Sequence, residues 1–94
     1  MITSVLNLNQ LRIFHVTASL LSFTLAAKQL NLTQPGISKH IKDLESFFGT
    51  KLFSRHGKKV SLTQAGELLY RTTGTVFKQL MDAKTHIDDL RGLA

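Results

Sequence analysis

A mainly α fold is predicted: a core of three short helices, a two-stranded hairpin, and one long C-terminal helix. Three observations predict it. Apolar residues recur at helical spacing in four stretches, each preceded by an Asn, Ser or Thr able to cap a helix. Two short apolar runs flank a basic loop that contains glycine. From Leu69 to Leu90 the chain follows an unbroken 4-3 repeat.

The first helical stretch begins near Asn7, where Asn7 and Gln10 have the spacing of a capping box. Leu8, Leu11, Phe14, Ala18 and Leu21 then mark one face, and the stretch is expected to run to about Ser19. The second starts at the cap Ser22 and buries Phe23, Ala26, Ala27 and Leu30. Its paired alanines admit a close helix neighbour, and Asn31 suits the left-handed turn that ends it. Thr33 caps the third, with Pro35 in the first turn, where its missing N–H costs nothing. Leu32 and Ile37 are spaced as a hydrophobic staple. Ile37, Ile41, Leu44 and Phe48 form its apolar face, and Gly49 ends it. Leu52-Phe53-Ser54 and Val60-Ser61-Leu62 read as hairpin strands around the loop Arg55-His56-Gly57-Lys58-Lys59. The last helix is capped by Thr63 and reaches about Leu90, roughly 40 Å at 1.5 Å per residue. Its seam of Leu69, Thr73, Val76, Leu80, Ala83, Ile87 and Leu90 is too long to bury against so small a domain. Pairing with a second copy is the expectation.

The 94 residues carry a net charge of +6 and no cysteine. Disulfides, cysteine zinc sites and thiol nucleophiles are thereby excluded. The longest stretch without Asp, Glu, Lys or Arg, Ile13 to Ala27, has 15 residues, short of the about 20 that a membrane span needs. No basic segment precedes an apolar run at the start, so a soluble, cytoplasmic domain with no membrane partner is expected. The charge is clustered. Lys28, Lys39, Lys42, Lys51, Arg55, Lys58 and Lys59 outnumber Asp43 and Glu45 in the middle third, while acids and bases balance from Thr63 onward. Such a field attracts polyanions. His15, His40, His56 and His86 are scattered; Asp82, His86 and Asp89 share a helix face but lack a further strong ligand, so no metal or cofactor is assigned. No phosphate loop or nucleophile elbow is present, and nothing argues for an enzyme.

A helix, a short helix, a three-residue turn at Asn31-Leu32-Thr33 and a longer helix make the helix-turn-helix order. The basic hairpin that follows is a wing. At about 100° per residue, Pro35, Lys39, Lys42 and Ser46 fall opposite the apolar face of the third helix, with Ser38 beside them. Lys can donate to guanine, Gln can pair with adenine, and Ser reaches a base or a phosphate. Gln34 and Ser38 occupy the first turns, which usually meet base edges. Arg55 suits a minor groove or a phosphate, and Lys58 and Lys59 suit phosphate.

Several segments resemble the N-terminal DNA-binding domain of LysR-type transcriptional regulators: Leu21 to Ala27 with Leu30, Leu32 to Ile41, Leu44-Glu45, Gly49, Leu52 to Arg55, and Leu62 to Gly66. The likeness spans about Leu8 to Leu90. It implies a winged helix-turn-helix over residues 1–62 and a dimerising linker helix over 63–92. It also implies DNA contacts at the positions of Gln34, Pro35, Ser38, Lys39 and Arg55, with Thr24 near a phosphate. The full candidate DNA-binding set is Thr24, Thr33, Gln34, Pro35, Ser38, Lys39, Lys42, Arg55, Lys58 and Lys59. Leu69, Val76, Leu80, Ala83, Ile87 and Leu90 are the dimerisation candidates. Three positions depart from the family's habit: Leu21 replaces a frequent glycine, Leu25 a basic or polar residue, and Lys39 an arginine, losing its bidentate fork. The family's effector-binding domain follows the linker helix and is expected outside this chain, together with any small-molecule effector and any tetrameric assembly. Double-stranded DNA and a second copy are the partners expected here, with an inverted-repeat operator. A winged helix used for protein contact is the competing class, and the clustered positive charge argues against it.

Overall fold

The computed structural model describes residues 6–92. Three helices, α1 (Leu8–Leu20), α2 (Phe23–Leu30) and α3 (Gln34–Phe48), precede the strands β1 (Phe53–His56) and β2 (Lys59–Leu62) and the long helix α4 (Gln64–Leu90).

Each predicted cap forms. The side chains of Asn7, Ser22, Thr33 and Thr63 accept the backbone N–H of Gln10, Leu25, Gly36 and Gly66, respectively. These bonds satisfy amides that the first helical turn leaves unpaired. Asn31 and Gly49 end α2 and α3 with φ of 55° and 71°. Leu21 ends α1 at φ 48°, so this leucine adopts the left-handed backbone that glycine favours.

The capping box at Asn7 is only half made. Gln10 turns its side chain inward, where its Nε2 lies 3.2 Å from His40 Nδ1 on α3. Burial between two helices, rather than the local turn, decides its rotamer. The stripe of α1 is also rotated from the sequence reading. Ile13, Phe14, Thr17 and Ala18 are buried, while Leu8 is 50% exposed and Leu21 is exposed as well. Thr17 can occupy the interior because its hydroxyl donates to the Ile13 carbonyl at 2.7 Å.

The core joins these α1 residues to Phe23, Ala26 and Ala27 of α2, to Ile37, Ile41 and Leu44 of α3, and to Leu52 and Phe53. Phe48, the fourth residue of the α3 stripe, is 40% exposed because it lies past the end of the packed layer. Leu32, half of the expected staple, is also exposed.

The hairpin is antiparallel and pairs Phe53 with Leu62, Ser54 with Ser61, Arg55 with Val60 and His56 with Lys59. The five-residue loop read from the sequence is therefore a two-residue turn, Gly57-Lys58. Gly57 at φ 62° supplies the positive first position that a tight hairpin turn needs, so the ladder continues through Arg55 and Lys59. Glu45 ties the hairpin to α3. Its Oε2 accepts the Leu52 N–H at 2.8 Å and the Phe53 N–H at 3.4 Å. Thr63 closes the base, donating to the Lys51 carbonyl at 2.7 Å while capping α4.

The 27 residues of α4 divide in two. In the first half, Leu69 and Tyr70 pack on the core, and Thr73 is 1% exposed with its Oγ1 2.7 Å from His15 Nδ1. The expectation that the whole seam lacks a surface in its own chain therefore fails at Leu69, which packs on the core, and at Thr73, which meets His15 of α1. The second half leaves the domain. Leu80, Met81, Ala83, Ile87 and Leu90 are exposed, Leu90 at 87%. No helix among the described residues is long and apolar enough to cross a membrane.

Candidate nucleic-acid interface

The site is built on the outer face of α3. Burying Ile37, Ile41 and Leu44 fixes the helix rotation, and the 3.6-residue period then turns Gln34, Pro35, Lys39, Lys42 and Ser46 to solvent. Ser38 lies half-buried at the margin of that face. Thr33 and Pro35 open the helix, with the Thr33 side chain committed to the cap. The short turn brings the start of α2 beside the start of α3, so that the Thr24 hydroxyl donates to Gln34 Oε1 at 3.3 Å. The structure thus joins Thr24, Gln34, Pro35 and Ser38 at one end of the face.

Lys39 sits on an exposed ion pair with Asp43, one turn along α3, at 3.2 Å. Such a pair is worth only a few tenths of a kcal/mol and yields readily to a stronger anion.

A groove of about 520 Å³ runs between α3 and the hairpin. Ser38 and Lys42 form one wall, and Lys51 and Arg55 the other, above Phe23 and Phe53. Its one acid, Glu45, is already engaged by the Leu52 and Phe53 amides and lies 3.9 Å from Lys51. In sequence, Arg55, Lys58 and Lys59 form one wing cluster. The structure separates them. Arg55 lies over the Phe23 ring, its Cζ 4.2 Å from the centroid, in the groove beside α3. Lys58 is at the turn and Lys59 on β2, both exposed. Lys51 and Phe23 were missed as members of the site. Lys51 lies between two motifs in sequence, and Phe23 read as core; only the tertiary fold brings either to Arg55.

The histidines stay apart in function. His40 is held by Gln10, while His15 packs against α4. Among the described residues, no three His, Cys, Asp or Glu side chains come together to hold a metal ion.

A half-exposed basic helix behind a three-residue turn, flanked by a basic hairpin, defines the winged helix-turn-helix class of DNA-binding domain. A family model described as bacterial regulatory helix-turn-helix protein, lysR family, matches residues 8–67, and the chain belongs to that family. The HTH-type transcriptional regulator CbbR of Rhodospirillum rubrum is 41% identical over 86 residues, which cover 92% of this chain and 29% of its own. The glycine cleavage system transcriptional activator of Escherichia coli K12 is 43% identical over 76 residues, 81% of this chain and 25% of its own. The chain therefore spans between a quarter and a third of these relatives' length. Among solved structures, the BenM_DBD/catB site 1 DNA complex superposes with a TM-score of 0.85 at 27% identity, covering 92% of this chain and 96% of that one. Vibrio fischeri DarR in complex with DNA gives a TM-score of 0.80 at 34% identity, covering 95% of this chain and 30% of that one.

Proposed function

We propose that this domain binds duplex DNA as a two-fold dimer and reads an inverted-repeat operator of a transcription unit. In this reading, residues 1–62 are the reading head and 63–92 the linker. Gln34, Pro35 and Ser38 meet base edges in the major groove. Lys39, Lys42, Lys58 and Lys59 meet phosphates, as do Thr24 and the capped turn at Thr33. Arg55 approaches from the wing. The observation that carries the reading is the α3 face itself: two exposed lysines beside Gln34 and Ser38, facing a groove with Lys51 and Arg55.

The dimer rests on the outer half of α4, where Leu80, Ile87 and Leu90 continue the 4-3 repeat with nothing covering them. Two copies joined there present two recognition helices, which asks for an inverted repeat. The cytoplasm is the matching location. Effector binding and any tetramer lie outside this reading of the domain.

Selection from random duplex DNA, followed by a salt titration, tests the reading. An inverted repeat should emerge, and each neutralised phosphate should add about −0.9 to the slope of log K against log salt. A nearly flat salt profile sinks the proposal.

A further inference from the structure

We infer that Phe23 is a positioning residue for Arg55, holding its guanidinium ready for DNA; this rests on the DNA-binding reading above. Phe23 opens α2 and is buried, with its ring edge-on to Phe53 at 5.3 Å between centroids. Phe53 in turn packs on Phe14 at 5.5 Å. The ring under Arg55 is thus anchored to the centre of the core. Arg55 follows Phe53 by two residues on β1, and strand alternation puts the two side chains on the same face. Arg55 therefore leaves the hairpin on the side of the helices, where the Phe23 ring receives it.

The electrostatics agree. Lys42 and Lys51 line the same groove and repel a third cation, and the one acid there is committed elsewhere. Among the described residues no carboxylate pairs with Arg55, so the negative face of the Phe23 ring is the attraction that holds it. Among the described residues no group accepts a side-chain hydrogen bond from Arg55, so its five N–H donors stay free for a phosphate or a base edge. An arginine already confined in this way loses less freedom when DNA arrives.

The first test needs only the free chain. NMR should show the Arg55 side-chain N–H shifted upfield by the Phe23 ring, and Phe23→Leu should remove that shift. An unshifted wild-type signal overturns the inference, whether or not the variant folds. The second test is a double-mutant cycle on duplex DNA. Arg55→Ala should cost about two- to fivefold more affinity in the wild-type background than in Phe23→Leu, the range expected of an exposed cation–π pair. Phe23→Tyr, which keeps an aromatic face, should restore the difference. Equal losses in all backgrounds, with salt-dependent binding intact, overturn the role of Phe23 and leave the DNA reading standing. A wild-type chain that binds no duplex at any salt overturns both.

Discussion

The two halves of α4 share one 4-3 repeat and have opposite surroundings. The half from Gln64 to Phe77 lies against the domain. Gly66 is pressed on the Leu52 backbone, Tyr70 stacks on His15 with centroids 4.7 Å apart, and Thr73 bonds to the same histidine. The half from Lys78 to Leu90 is largely exposed and carries the ion pairs Lys78–Asp82 at 2.9 Å and Lys84–Asp88 at 2.7 Å within the helix. A helix gains most of its stability from packing an apolar face. The inner half has that packing in its own chain, whereas the outer half leaves Leu80, Ile87 and Leu90 exposed, and in the proposed dimer a second copy covers them. One periodic pattern thus meets two surroundings, and position along the helix decides which.

Leu80→Asp should separate the halves most sharply. A symmetric dimer buries this leucine twice, at about 1.5–3 kcal/mol each, so association should weaken by at least about a hundredfold. Leu80 is 47% exposed, so the unfolding free energy of the monomer should stay within about 0.5 kcal/mol. Sedimentation and urea titration of the same sample check both. A monomer that unfolds early would place Leu80 with the inner half.

Gly66→Ala is the converse. A Cβ there would lie 2.0 Å from the Leu52 carbonyl oxygen, at the joint between α4 and the hairpin base. Neither backbone can yield cheaply, and a loss of about 3 kcal/mol in urea unfolding is expected. The effect should be the same at all protein concentrations, because the defect lies within one chain.

The inner half should also sense pH. Burial pushes the His15 imidazole below its ordinary pKa of 6.5, so the folded state prefers the neutral ring. Tyr70 and Phe77 pack on it and Thr73 bonds it; among the described residues no carboxylate pairs with it. Between the lowered folded value and 6.5 the unfolded chain binds more protons, so stability falls as pH drops through that window. Urea midpoints at pH 7.5 and 5.5 should draw together in His15→Phe relative to wild type. Thr73→Ala, which leaves His15 without its partner, should cost about 1–2 kcal/mol at neutral pH. The smallest effect belongs to the outer half. Lys84→Ala breaks an exposed i,i+4 pair and should cost only about 0.3–0.5 kcal/mol, read as helix content.

Features set by a few neighbouring residues were legible in the sequence. All four caps, the turn at Asn31, the end at Gly49 and the outward face of α3 depend on local chemistry or on one helical period. Contacts between distant residues were not. Gln10 fits a capping box locally, yet His40 on another helix captures it. Arg55 and Lys59 read as loop because charge is common in loops, but a two-stranded sheet tolerates charge on its open edges. The Arg55–Phe23 stack spans 32 positions, and no periodicity announces it. The exposure of Phe48 has the same origin: a repeat states which face a residue occupies, not where the packed layer stops.

In the proposed dimer, the outer half of α4 joins two copies so that two α3 faces meet one operator. The most direct measurement is sedimentation equilibrium of the chain at micromolar concentration, alone and with a duplex carrying the selected repeat. A dimer in free solution, and two protomers per duplex, are predicted. A monomer in free solution that still binds the inverted repeat tightly would contradict it, and would mean that the exposed seam of Leu80, Ile87 and Leu90 is not what brings two recognition helices together.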